Sequence, residues 1–271
     1  MDAREATARQ VGGDDAITTR IGAAMLPLGV VVLVVTETLH PGREDPMDFP
    51  AVFREYAQSN IWTAVHLGEY FGFLLLLGGL VALYYSVSAR RGMGAGLAPF
   101  GLAAAVAAAA SFTVLQAVDG IALKRAVDAW VSAPAVQRSA AFAAAEALRW
   151  IEIAMNSLSF FLAGLTLFLY GVVIALGDVY PRWAGLIAVV SGAALMYDGA
   201  VVVAYEGFVP SVIKLVGLLL LAVWAFVMAV LMWREGTRRR GSVAQPGSAP
   251  QDRLDYLPTH ADGPTHQPRR R

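Results

Sequence analysis

Apolar residues run through this chain in six long blocks separated by short polar breaks, at about 17–38, 62–87, 97–119, 150–176, 183–205 and 212–233. At about 1.5 Å per residue, the stretch from Trp62 to Tyr84 covers roughly 33 Å, enough to cross a hydrocarbon layer of about 30 Å. The pattern predicts an all-α, polytopic membrane protein: a bundle of six transmembrane helices spanning residues 17–235. A polar segment, 1–16, precedes the bundle and is expected to be disordered. A tail rich in Pro, Gly, Gln and Arg, 236–271, follows it and is expected to be disordered too.

The breaks predict their own structure. Pro27 should bend the first span, and Pro99 is read as opening the third. In PGREDPMDFPAVFREYAQSN, Asp48 is placed to cap a short amphipathic helix with Phe49, Val52, Phe53 and Tyr56 on one side, lying at the membrane interface. Beyond Asp119 the helical pattern turns amphipathic through Lys124, Arg125, Asp128 and Trp130, breaks at Ser132 and Pro134, and resumes in an Ala-rich run into span four. This predicts an extracytoplasmic helical hairpin extending spans three and four. Small residues at Gly101, Ala105 and Ala109, and at Gly185, Gly192 and Gly199, mark faces for close helix packing.

Composition supports the class. Hydrophobic residues make up 57% of the 271 and charged residues only 15%, well below the quarter usual in soluble domains. Cysteine is absent, which excludes disulfides, thiolate metal sites and cysteine nucleophiles. The formal net charge is zero; no nucleic-acid partner is expected, the lipid bilayer is, and a homo-oligomer stays open. Arginines in short turns and flanks (Arg4, Arg9, Arg20, Arg90, Arg91, Arg182 and the Arg234 to Arg240 cluster) place both termini in the cytoplasm and the chain in the cytoplasmic membrane.

The ionisable residues inside the spans gather toward one membrane side. Glu37 closes span one; His66 and Glu69 open span two, one turn apart; Asp119 ends span three; Glu152 and Asn156 begin span four; Asp198 and Glu206 close span five. Charged groups at such depth cost about 2–3 kcal/mol each unless paired, hydrated or used. Their asymmetry predicts an outward-facing polar pocket that binds or conducts a small solute or cation. A second reading, from the pairs Glu37-x-x-His40 and His66-x-x-Glu69, is a metal-dependent membrane enzyme with a divalent ion on His40, His66, Glu69 and Glu152, since mixed carboxylate and imidazole sets hold such ions in helical bundles. A haem between His40 and His66 ranks below that. A third reading is a structural or assembly subunit without ligand, its polar groups paired internally: His66 with a carbonyl or Glu69, and Arg149 bridging Glu146 and Glu152 on a hydrated helix. Lys214 is expected to snorkel to the headgroups.

The run His40-Pro41, Arg43-Glu44-Asp45-Pro46, Glu55-Tyr56 and Trp62-x-x-x-His66, with Leu115-Gln116-x-x-Asp119-Gly120, resembles a set of uncharacterised bacterial multi-span membrane proteins. The likeness covers spans one to four. It implies a six-span helical fold in the cytoplasmic membrane and carries no activity or catalytic residue.

Overall fold

A computed structural model describes residues 3–89 and 92–244, with side chains over 14–89 and 92–240. The described residues are helical throughout their regular elements, with no strand. In order they form α1 (Ala3–Leu39), α2 (Phe49–Gln58), α3 (Trp62–Ser88), α4 (Met93–Ala117), a π-helical segment π1 (Val118–Leu123), α5 (Lys124–Ser132), α6 (Arg138–Leu176), α7 (Arg182–Tyr197), a second π-helical segment π2 (Asp198–Val203), the single turn α8 (Ala204–Glu206) and α9 (Val212–Ala244). Six stretches are long and apolar enough to cross a membrane: Asp14–Leu39, Trp62–Ser88, Met93–Ser132, Arg138–Leu176, Arg182–Glu206 and Val212–Arg240. They close into a ring in which α1 packs on α3, α3 on α4, α4 on α6, α6 on α7, α7 on α9 and α9 again on α1. Phe71, Phe100, Leu186 and Leu219 are exposed, as lipid-facing side chains are, while Leu26, Leu83, Tyr170, Trp224 and Met228 fill the interior.

Lipid is as apolar as these interiors, so close backbone approach and dispersion, not hydrophobic transfer, hold such helices together. Two ladders supply that approach. Residues 157, 164 and 171 of α6 face 199 of π2 and 192 and 185 of α7, both at seven-residue spacing; a Cβ on Gly164 would come 2.6 Å from the Gly192 carbonyl oxygen, and one on Gly171 2.7 Å from that of Gly185. The heptad of glycines read in span five thus meets its counterpart on α6. A second ladder, α1 on α3, places Gly29 against Gly72 and Thr36 against Gly68. Gly101 and Ala105 of α4 are buried, with Gly101 against the Tyr170 ring.

Several expectations are corrected. The segment read as disordered, 1–16, is helical from Ala3 onward and continuous with span one, and Pro27 lies inside α1. Helix α4 starts at Met93, six residues before Pro99, after a turn in which Gly92 adopts φ +135°, a conformation that favours glycine. Helix α9 continues to Ala244, beyond the expected end at 235; the rest of the tail, with His260 and His266, and the turn residues Arg90 and Arg91 lie outside the described residues.

The stretches Met93–Ser132 and Arg138–Leu176 contain 40 and 39 residues, about 60 Å of helix each and twice a bilayer's apolar thickness. Against their far ends lies α2. Asp48 caps it by accepting from the Ala51 amide at 3.2 Å, and Phe49, Val52, Phe53 and Tyr56 are all buried. Their partners are Leu123, Val127, Trp130 and Ile153, so the apolar face expected at the lipid interface is spent on protein instead. The loop before α2 is tied down by the Glu55 carboxylate, which accepts from the amides of Arg43 (3.0 Å) and Glu44 (3.2 Å).

At the opposite end of the bundle Tyr180 and Ser86 share a hydrogen bond of 2.6 Å, and burial pushes the Tyr180 hydroxyl up to about 12. Glu235, also buried there, pairs with Arg238 and Arg239.

Candidate functional site: a His–His–Asp centre beside a π-helical turn

Two Asp-Gly pairs, 119–120 and 198–199, fall in the two π-helical segments. A wider turn loosens the backbone hydrogen-bond ladder and leaves carbonyls needing other donors. In π1 these come from the start of α3: the Trp62 indole donates to the Asp119 carbonyl at 3.0 Å, and the Thr63 hydroxyl to that of Gly120 at 2.9 Å. Glycine at 120 lets the helices meet, since a Cβ there would sit 2.6 Å from the His66 Cβ.

This contact brings the Asp119 carboxylate to His66. The His66 Nε2 lies 2.9 Å from Asp119 Oδ2, and its Nδ1 lies 2.8 Å from the Trp62 carbonyl oxygen. The side chain of His66 is 2% exposed and that of Asp119 13%. His40, just past the end of α1, completes the group: its ring centroid is 5.1 Å from that of His66 and 4.9 Å from that of Trp62. His40, His66 and Asp119 can each offer one ligand atom, all within 4.8 Å of one another. Burial, followed by the neighbouring His66, holds the His40 imidazole below its ordinary value, which keeps a lone pair available. Asp119 Oδ1 is buried without a hydrogen-bond partner among the described residues.

The His66 geometry permits two chemical states. The Trp62 carbonyl only accepts, so Nδ1 carries a proton. With Asp119 ionised and no ion bound, Nε2 carries one as well, giving an imidazolium paired with a carboxylate. Alternatively a metal ion replaces the Nε2 proton; a ligating histidine whose second ring nitrogen donates to a backbone carbonyl is the usual arrangement around such ions.

The remaining expected site residues separate from this group. Glu69 accepts from the Gln116 side chain at 3.1 Å and remains within electrostatic reach of His66. Glu152 is taken by Arg149, whose Nη1 donates to both carboxylate oxygens at 2.6 and 2.8 Å while Nη2 donates to the Pro46 carbonyl at 3.0 Å. That pair is buried under α2, with the guanidinium 4.7 Å from the Phe208 ring centroid, and so is not the hydrated surface bridge expected. The expected metal set of His40, His66, Glu69 and Glu152 is therefore assembled differently, with Asp119 beside the two histidines. Glu37 and Glu206 are exposed at the rim. Asn156 and Asp198 lie away from His66, where α6 meets π2. Lys214, expected to snorkel, instead rests its ammonium 4.7 Å from the centroid of the Phe160 ring. Thus the eight candidate ligand residues do not line one outward hollow. A cavity of about 260 Å³ lies at the other end of the bundle, beside Val87, Gly94, Gly177, Tyr180 and Arg182.

Trp62, Thr63, Gly120, Gln116 and Tyr56 complete the surroundings and were not singled out from sequence as site residues; the Asp-Gly pair at a span end was the available signal. No family model, curated protein or solved structure matches the chain.

Proposed function

We propose that this integral membrane protein binds one divalent transition-metal ion through His40, His66 and Asp119. The observation that carries the reading is the convergence of three ligand-type side chains from three separate segments within 4.8 Å. Two imidazoles and a carboxylate suit zinc and related first-row ions. Three protein ligands leave a coordination position for water or substrate, as catalytic rather than structural centres do. Glu69, one turn from His66 and held by Gln116, would supply a carboxylate base beside an ion that activates water, the chemistry of a metal-dependent membrane enzyme. A haem is not part of this reading, because His66 is enclosed by Trp62 on one side, with ring centroids 4.5 Å apart, and by Asp119 at its Nε2.

In this reading the protein resides in the cytoplasmic membrane with both termini inside, as the arginine-rich short turns favour. The metal centre and the hairpin formed by the far ends of Met93–Ser132 and Arg138–Leu176 then face outward. Solute conduction is left out, since the polar groups form separate local sets.

The second reading is the metal-free His66–Asp119 ion pair, favoured by the acceptor at each ring nitrogen. Elemental analysis of the purified protein after exposure to zinc or manganese and exhaustive dialysis distinguishes the two. Stoichiometric metal in the wild type and in Glu206→Gln, lost in His66→Gln and Asp119→Asn, supports the centre. Metal-free wild-type protein, or unchanged metal in folded variants, overturns it and leaves the ion pair.

A further inference from the structure

The two π-helical segments are built alike. In π1 the Gly120 carbonyl accepts from Thr63 of α3 at 2.9 Å, and Gly120 faces the His66 Cβ; in π2 the Gly199 carbonyl accepts from Ser157 of α6 at 2.8 Å, and Gly199 faces the Ser157 carbonyl oxygen and the Phe161 amide nitrogen, with the Phe160 Cβ next. Ser157 thus takes the place of Thr63, and Phe160, three residues on, that of His66. Asp198 corresponds to Asp119, and Asn156 corresponds to Trp62. The second segment has the carboxylate, and a phenyl ring stands where the first has an imidazole.

The consequence is visible at Asp198, which is 0% exposed and has no hydrogen-bond partner on either carboxylate oxygen among the described residues. The Asn156 side-chain oxygen is likewise buried without a partner. Lys214 forms no ion pair with Asp198; its ammonium lies over the Phe160 ring. A carboxylate enclosed in a membrane bundle is costly unless a proton or a bound cation neutralises it.

We infer that Asp198, with Asn156, forms a second site that takes a monovalent hard cation of the sodium type, independent of the His66 centre. Three lines of chemistry point that way. The unpartnered donors are all oxygen, which suits hard cations where the imidazoles of the first centre suit transition metals. One carboxylate neutralises one positive charge, and at Asp198, wholly enclosed where Asp119 is 13% exposed, a divalent ion would keep an uncompensated charge in a low-dielectric interior. The Gly199 carbonyl, already accepting from Ser157, retains a second lone pair on the same turn.

The test is binding of radiolabelled sodium by equilibrium dialysis of the detergent-purified full chain, paired with thermal unfolding in sodium, choline or calcium chloride at constant ionic strength. Wild type and His66→Gln should bind sodium saturably, with a midpoint that rises with the logarithm of sodium concentration, and Asp198→Asn should lose both responses. Should Asp198→Asn fail to fold, Asn156→Ala serves in its place and should bind sodium more weakly with its helical content kept. Equal behaviour in sodium and choline overturns the site. Sodium dependence that survives intact in folded Asp198→Asn, or a response to calcium alone, overturns it equally.

Discussion

Gly120→Ala tests the centre without removing any ligand. The added Cβ would lie 2.6 Å from the His66 Cβ and 3.1 Å from its Cγ, whereas carbon atoms settle at about 3.5–4.0 Å. The imidazole must therefore retreat by roughly 1 Å, or α3 and π1 must part by that amount. From a starting distance of 2.9 Å between Nε2 and Oδ2, such a shift carries the pair past hydrogen-bond range. Overpacking of this kind costs about 1–3 kcal/mol, partly offset by the gain of about 1 kcal/mol when alanine replaces glycine in a helix. Net stability should thus fall by no more than about 2 kcal/mol. Zinc affinity should fall at least about tenfold, the scale found when the support of a metal ligand is disturbed. Gly96→Ala is the matched control: it lies on the same long helix, is exposed, and has nothing within 4 Å of an added Cβ. Zinc affinity is measured by competition with a chromophoric chelator, and stability by thermal unfolding followed through tryptophan fluorescence. Wild-type affinity in Gly120→Ala, or an equal loss in Gly96→Ala, refutes the argument.

Other outcomes follow from the packing. Gly192→Ala should lower the thermal midpoint more than Gly120→Ala, because its Cβ would lie 2.5 Å from both the Gly164 carbonyl oxygen and the Phe168 amide nitrogen, backbone atoms that cannot rotate aside; a midpoint equal to wild type contradicts the α6–α7 ladder. Arg149→Met should cost about 3–5 kcal/mol by stranding the buried Glu152 charge, and adding Glu152→Met should restore most of that loss; a double variant as unstable as the single would show that the pair is not the cause. Phe53→Ala, at a fully buried position against Trp130 and Phe142, should cost about 3–5 kcal/mol and expose residues 40–48 to limited proteolysis, so an unaltered cleavage pattern argues against α2 being held by that contact.

Much of this was legible in the chain. Spanning length and apolar content are one-dimensional properties, so the six spans could be read from run length alone. The same holds for the Asp48 cap and the apolar face of α2, though not for what covers that face, and for the glycine heptad 185–192–199. Other features depended on the third dimension. The α1–α3 ladder needed two distant segments to be set in register. Asp119 rather than Glu69 or Glu152 stands with the histidines because π1 turns its carboxylate toward α3, and a π-helical turn changes the face on which a residue lies without changing residue spacing. Glu152 left the expected set because it pairs with Arg149, a contact that their three-residue spacing allowed, while the burial of that pair under α2 came only with folding.

By itself, then, the sequence determined that this is a helical membrane bundle and on which ends of its spans the ionisable groups lie, because solvation by lipid acts on each segment separately. Which of those groups became partners was decided by tertiary structure. Inside a bundle, a carboxylate's state depends on the one or two atoms within about 3 Å of it, and those atoms come from other helices.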